Sequence, residues 1–385
     1  MDNQASFPKS STPQAPGLSA ESPSMATKAL SKKNRNIMTS ASKTKSITLK
    51  RYRHNPLLLP LAHSAWENIC TCNPAAWYDG KKVWLLYRGG PDTDRHPVSF
   101  GLAESEDGFH FQRVSDQPVF GPSENGWDGG CIEDPRIVQF GDTYFVTYAA
   151  RMFPPAAYWR KKFPLNAFNP PLPGDAPIAA RENLTRSGLA ATKDFHTWHR
   201  LGPLTAANVD DRDVILFPER IAGEYVMLHR PGSWVGPEYG CDKPSMWLTF
   251  GSDMLCWTEE FLLAQSVYDW EGRKIGGSTP PIRTDAGWLV LYHGVDDKIV
   301  YRVGAMLLDL NDPREILGRT SRPILEPEAD YERVGLVPNV VFPCGNVVIG
   351  DQLFVYYGGA DKYCCVATCP LGELIDCLLA NPWKG

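Results

Sequence analysis

GGCIEDPRIVQFGDTYFVTYAAR, residues 129–151, sets two carboxylates, Glu133 and Asp134, directly ahead of a proline. After Pro135 come alternating apolar residues, a Gly141-Asp142 turn and a run of strong β-formers, the pattern of a hairpin. The pattern recurs as NPAAWYDGKKVWLLYR from Asn73, FPERIAGEYVMLHR from Phe217, PPIRTDAGWLVLYHG from Pro280 and FPCGNVVIGDQLFVYYGG from Phe342. The leading prolines, Pro74, Pro135, Pro218, Pro280 and Pro343, fall at intervals of 61, 83, 62 and 63 residues. A fixed period of this kind marks a repeat architecture.

A second unit follows each hairpin: FGLAESEDGFHF, SGLAATKDFHTW, LTFGSDMLCW, RVGAMLLDLNDP and CCVATCPLGEL. The first three join a small-residue strand, an Asp turn and a closing aromatic, Phe109, Trp198 or Trp257, and read as second hairpins. Four strands per repeat, five times over, predict an all-β fold, a five-bladed β-propeller. A β-sandwich with similar hairpins is the competing arrangement. The long second interval holds a Pro- and aromatic-rich insertion, Met152 to Glu182, expected as a flap over the site or as a contact in a homo-oligomer.

Bulk composition excludes several classes. The 385 residues are 43% hydrophobic and 22% charged, with 33 Pro and 33 Gly, as suits a core of short strands and many turns. A net charge of −5 gives no electrostatic reason for a nucleic acid or an anionic membrane as partner. No run approaches the ~18 apolar residues of a membrane span. The ten cysteines form no paired CxxC module and the eight histidines are scattered, so neither a metal nor a cofactor is expected. That cysteine usage fits a reducing, cytoplasmic setting. Residues 1–46 are rich in Ser, Thr, Pro, Ala and Lys and are expected to form a disordered tail, leaving 47–385 for the propeller. The tail has no secretory apolar core; an organelle transit peptide, a plain tail and a start at Met25 or Met38 stay open.

In a propeller the innermost strands converge on the axis, so residues distant in sequence meet there. The strand starts offer Asn73, Glu133-Asp134, Glu219, Thr279 and Asn339; the strand ends offer Arg88, Arg151, His229-Arg230, His293 with Asp296, and Asp361. This assortment of charge exceeds what a structural scaffold requires.

The motifs CNPAAWYDGKKVWLLYRGG, GGCIEDPRI, GLAATKDF, DVILFPERIAGEYVMLHRP, GWLVLYHGVD and YYGGAD resemble, in this order, those of glycoside hydrolase family 130, the β-mannoside phosphorylases and their hydrolytic relatives. The likeness runs from about Asn55 to Pro382. It implies a five-bladed propeller with the sugar on the axis and Asp134 as the single catalytic acid, its proton passing through a sugar hydroxyl. Asn73 and Arg88 match residues that hold the mannosyl unit, and Asp296, Asp361 and His293 stand at further sugar-contacting positions. Arg186, Arg212 and His229 fall at or near phosphate-binding positions, with Arg151 a further candidate. Arg212 stands where lysine is more usual in the phosphorylases. The implied partners are a β-mannoside oligosaccharide and inorganic phosphate as co-substrate.

Inverting hydrolysis uses two carboxyl groups, an acid and a base that activates water. Phosphate is already an anionic nucleophile, so phosphorolysis can replace the base with cations that bind the oxyanion. One carboxylate with a basic cluster favours inverting phosphorolysis to α-mannose 1-phosphate. A hydrolase would need a base such as Glu219 or Asp213. A noncatalytic sugar-binding propeller, using Trp77, Trp127, Trp159, Trp234 and Trp247 to stack sugars, is the rival of a different class, since fold alone decides no function.

Overall fold

The computed structural model describes residues 46–384; the expected disordered tail, residues 1–46, lies outside them except for its last residue. Twenty-one strands form five separate sheets in which consecutive strands pair antiparallel. Blade one comprises Cys70–Tyr78, Val83–Gly90, Ser99–Ser105 and Gln112–Arg113. Blade two comprises Cys131–Phe140, Thr143–Arg151, Arg186–Thr192 and Trp198–Pro203. In blade three the strands are Asp211–Leu216, Tyr225–Pro231, Met246–Gly251 and Glu259–Ala264. Blade four has a broken inner strand, Lys274–Gly277 and Ile282–Thr284, then Gly287–Val295, Tyr301–Leu308 and Ile316–Arg319. Blade five is Val341–Ile349, Gln352–Gly359 and Tyr363–Pro370. The fold is the five-bladed propeller that the repeats predict.

The closing strand of blade five departs from the sequence expectation. CCVATCPLGEL supplies one strand, not a hairpin, because the chain after Pro370 forms the helix Leu371–Leu379, which buries Leu374, Cys377 and Leu378. The fourth strand is Lys50–Arg51, from the other end of the propeller sequence, paired antiparallel with Ala367 and Thr368. Joining the two ends in one sheet closes the ring and leaves no sheet half-made. Arg51 secures the closure through ion pairs with the fully buried Glu332 (2.8 Å) and with Glu328 (2.9 Å).

Each blade buries both faces of its middle strands, so these strands read as apolar throughout. In Gly287–Val295, Leu289 and Leu291 pack against blade five, whereas Trp288, Val290 and Tyr292 pack against blade three. Alternate side chains point to opposite faces of a strand, and here both faces meet a neighbouring blade. Leu85 and Leu86 divide in the same way between blades five and two. Five such interfaces surround the axis.

The insertion folds against the ring. Its 3-10 turn, Tyr158–Arg160, is fixed by the Ala157 amide donating to the Asp94 carbonyl (2.9 Å) and by ion pairs of Arg160 and Lys162 with Asp92 and Asp94 of blade one. All ten cysteines are unpaired. Among the described residues no helix is long and apolar enough to cross a membrane.

Candidate active site

Innermost strands lose register where they reach the axis. Pairing breaks between Cys72 and Ala75 in blade one, Glu133 and Arg136 in blade two, and Arg212 and Ile215 in blade three. The first residue of each break, Asn73, Asp134 or Asp213, has a positive φ of 46°, 53° or 57°. Asn and Asp tolerate this left-handed backbone better than other side chains because they hydrogen-bond locally. A bulge re-aims its residue out of the strand's alternation, and these three bulges deliver one polar group each to a shared cavity.

That cavity has a volume of about 330 Å³. Asn73, Arg88, Asp134, Arg151, Arg212, His293 and Asp361, all named from sequence, line it together with Glu133, Tyr158, Asp213, Arg230, Lys274 and Tyr301. The insertion contributes Pro155, Tyr158 and Leu165 to the wall, which is the place of a flap.

Three carboxylates gather around Arg88. Its guanidinium is ion-paired with Glu133 (2.7 Å) and lies 3.4 Å from Asp134 Oδ1. Asn73 Nδ2 donates to the same Asp134 oxygen at 2.8 Å. Arg88 Nη2 also donates to the Tyr158 hydroxyl (3.1 Å), which donates to Asp361 Oδ2 (3.2 Å). Burial opposes the charge on Glu133, but Arg88, then Arg151 and Arg212, outweigh it and hold the carboxyl below its ordinary range. Asp361 goes the other way. Burial lifts it to about 6; Arg88 pulls it down, and Asp134 and Glu133 push it further up. Gly358 makes room for this arrangement, since a Cβ there would collide with the Asn73 amide.

A second, cationic cluster surrounds Asp213. Arg230 Nε donates to its Oδ2 at 2.6 Å, His293 Nε2 lies 3.6 Å from that oxygen, and Arg136 lies 3.6 Å from Oδ1. Burial resists ionisation of Asp213, but Arg230 and its companions hold the carboxyl well below the usual range. Burial lowers His293 to about 3 in spite of Asp213, so its ring is neutral at pH 7. Arg212 grips Asp210 through two bonds, 2.7 and 3.0 Å. Arg136 ties the clusters together, donating to the Asp134 carbonyl (2.9 Å) and to the Ser278 carbonyl (3.1 Å).

Three of the sugar- and phosphate-contacting residues that the family likeness implies lie outside the wall. Asp296 pairs with Arg302 (2.8 Å) and accepts from the Lys298 and Val300 amides, so it caps its own turn. His229 is buried between Asp211 (2.9 Å) and Glu260 (2.8 Å), which overcome burial and raise it to about 10. Arg186 donates to the Thr205 carbonyl and lies 5.8 Å over the Trp127 ring. Glu219, a candidate base, is on the surface near Arg283 (3.4 Å).

Asp213 is the residue that the repeat alignment displaced. Aligning on Pro218 puts blade three out of register by several residues, because the equivalent of Asp134-Pro135 is Asp213-Val214. The usable signal was an Asx residue followed by a strand ending in arginine: Asn73 with Arg88, Asp134 with Arg151, Asp213 with Arg230. Lys274 and Tyr158 carry no comparable repeat signature.

A family model described as beta-1,4-mannooligosaccharide phosphorylase matches residues 33–164 and 178–379. A 1,2-beta-oligomannan phosphorylase of Thermoanaerobacter sp. (strain X514) is 36% identical over 334 residues, covering 85% of this chain and 99% of that protein. A beta-1,4-mannooligosaccharide phosphorylase of Ruminococcus albus is 31% identical over 341 residues, covering 85% and 89%. Among solved structures, the β-1,2-mannobiose phosphorylase of Listeria innocua, complexed with β-1,2-mannobiose, superposes with a TM-score of 0.71 at 28% identity, covering 86% of this chain and 99% of that one. The match spans all five blades, and the chain belongs to glycoside hydrolase family 130.

Proposed function

We propose that the chain is an inverting phosphorylase that cleaves a β-1,2-mannosidic bond with inorganic phosphate, releasing α-mannose 1-phosphate. One observation supports this reading: the cavity wall gathers cations beside Asp134, while its other carboxylates already have partners in the protein. Asp213 is bound by Arg230 and held ionised, Glu133 is paired with Arg88, and Asp361 accepts from Tyr158. Glu219 is remote, on the surface. The wall offers Arg151, Arg212, Arg230 and Lys274 instead, a set suited to a phosphate anion.

In this mechanism a phosphate oxygen forms a bond to the anomeric carbon while the bond to the leaving sugar's oxygen breaks. That oxygen takes a proton whose source is Asp134. Asn73 and Arg88 fix the Asp134 carboxyl through one oxygen, leaving the other to serve the reaction. Arg88 also keeps Glu133 charged, so Glu133 is not the proton donor.

Two of the relatives support the 1,2 linkage, whereas the family model is described for 1,4-linked mannooligosaccharides. The 36% identical protein and the Listeria structure are both named for 1,2-linked mannosides, the 31% identical protein for 1,4-linked ones. Phosphorolysis of β-1,2- and β-1,4-mannobiose, run side by side, tests the proposal. Faster release of mannose 1-phosphate from the 1,2-linked sugar is expected; a preference for the 1,4-linked sugar would overturn the linkage.

A further inference from the structure

Of the five cations in the cavity wall, Arg88 is ion-paired with Glu133 and three more have acceptors in the protein. Arg212 grips Asp210, Arg230 is bound to Asp213, and Arg151 donates to the Asn183 carbonyl. Lys274, on the inner strand of blade four, donates no hydrogen bond and forms no ion pair among the described residues. Its Nζ lies 5.1 Å over the ring of Tyr301, itself part of the wall. The strand keeps to the axis because Gly276 has no side chain: a Cβ there would strike Asp213 Oδ2. A partly buried ammonium without a direct ion pair, beside two arginines whose charge is already answered, is suited to receive an anion.

We propose that Lys274 is a phosphate-binding residue that takes up a proton as the anion arrives, so that phosphate affinity is linked to pH. The inference rests on the reading of this enzyme as a phosphorylase and adds a residue and a proton to it.

The groups facing Lys274 come from several elements. Arg212 and Asp213 stand on the inner strand of blade three and Arg230 on the next strand; Arg273 precedes Lys274 in its own segment. His293 and Tyr301 come from the following strands of blade four. Burial brings the ammonium down to about 7, with Arg230 and Arg212 reinforcing and Asp213 opposing. Around this value Asp213 stays ionised, His293 is neutral above about 3, and Tyr301 is raised to about 12 by burial. Asp361, at about 6, belongs to the other cluster and is ionised above pH 7. An arriving anion favours the charged form of Lys274. Affinity for the anion therefore falls as pH rises above about 7, toward tenfold per pH unit for one linked proton.

Sulfate separates this titration from that of phosphate, because sulfate does not change charge across the range. The experiment measures sulfate inhibition competitive with phosphate from about pH 6 to about pH 9 for the wild type, Lys274→Met and Lys274→Arg. The wild type should show sulfate affinity falling above about pH 7. Lys274→Met should bind sulfate about tenfold or more weakly at the acid end, with no slope above pH 7, and raise the KM for phosphate but not for mannobiose. Lys274→Arg keeps its charge, so it should retain affinity at alkaline pH and lose the slope; it carries the test if the Met variant fails to fold. A Lys274→Met enzyme with wild-type phosphate KM and slope, or a Lys274→Arg enzyme with the wild-type slope, overturns the inference. Wild-type turnover that needs no phosphate would instead remove the phosphorylase reading beneath it.

Discussion

Asn73 and Asp134 occupy the same bulge position in successive blades, and the amide of the first donates to the carboxylate of the second at 2.8 Å. The repeat thus places a catalytic candidate and its holder side by side. Both have a positive φ, 46° and 53°, a conformation maintained only because the surrounding ring dictates it.

Asp134→Asn keeps the shape and the Arg88 neighbour but removes the proposed proton donor. Turnover should fall by about 10²–10⁴ or more, with mannobiose still bound and thermal stability nearly unchanged. Calorimetric binding beside a rate assay distinguishes this from a noncatalytic sugar-binding propeller, in which no turnover exists to be lost.

Glu219→Gln is expected to leave kcat within about twofold of the wild type, since the side chain is exposed and meets only Arg283. A loss of several orders of magnitude would return Glu219 to consideration as a base.

Asp361 titrates at about 6 in the folded protein, above the ordinary carboxyl value of 3.8. Its folded pKa is raised, so its contribution to stability is full below about pH 4 and is lost as pH rises through about 6. Asp361→Asn stays neutral throughout and should raise the melting temperature at pH 7 while impairing catalysis. The upper bound on the gain is about 3 kcal/mol, from ~1.4 kcal/mol per pKa unit. An unchanged or lower melting temperature at pH 7 would contradict the buried-charge explanation.

His229 has the opposite kind of partner. Its folded pKa of about 10 lies above the ordinary 6.5, so its stabilisation is complete below pH 6.5 and fades as pH rises through about 10. His229→Gln leaves Asp211 buried without its cation and should cost about 3–5 kcal/mol near neutrality. Denaturant melts of wild type and variant should converge at strongly alkaline pH.

Arg51→Ala tests the closure of the ring. It strips the fully buried Glu332 of its cation at the joint where Lys50–Arg51 completes blade five. A loss of about 3 kcal/mol or more is expected in urea unfolding. A loss below about 1 kcal/mol would show that the joint carries little of the stability.

The blades were legible because each repeat must supply the same apolar middle strands, such as VWLLYR and WLVLYHG, to be buried on both faces. The closing strand was not. Lys50–Arg51 is two residues long, polar, and distant in sequence from the strand it pairs with, so no local pattern marks it. Asn73 and Asp134 are placed from motifs because the bulges fix them to the repeat, and Arg88 and Asp361 because they fall at or just beyond the end of a second strand. Asp213 stands out in the sequence only as a candidate base; no proline follows it to mark its equivalence to Asp134, and Pro218 lies several residues further on. Tyr158 joins the site from an insertion without a repeat equivalent, and residues 165–177 lie outside the family match. The placement of His229 between two carboxylates depends on Asp211 and Glu260 in strands on either side, which sequence spacing does not reveal.

Asp134 is proposed to work as a single acid with a bound phosphate and without a water-activating base. The decisive experiment is phosphorus NMR of mannobiose turnover with phosphate, beside an assay of free mannose with phosphate omitted. α-Mannose 1-phosphate is expected as the sole new phosphorus species, with negligible mannose release when phosphate is left out. Mannose released at the same rate with or without phosphate, and no mannose 1-phosphate, would refute the proposal.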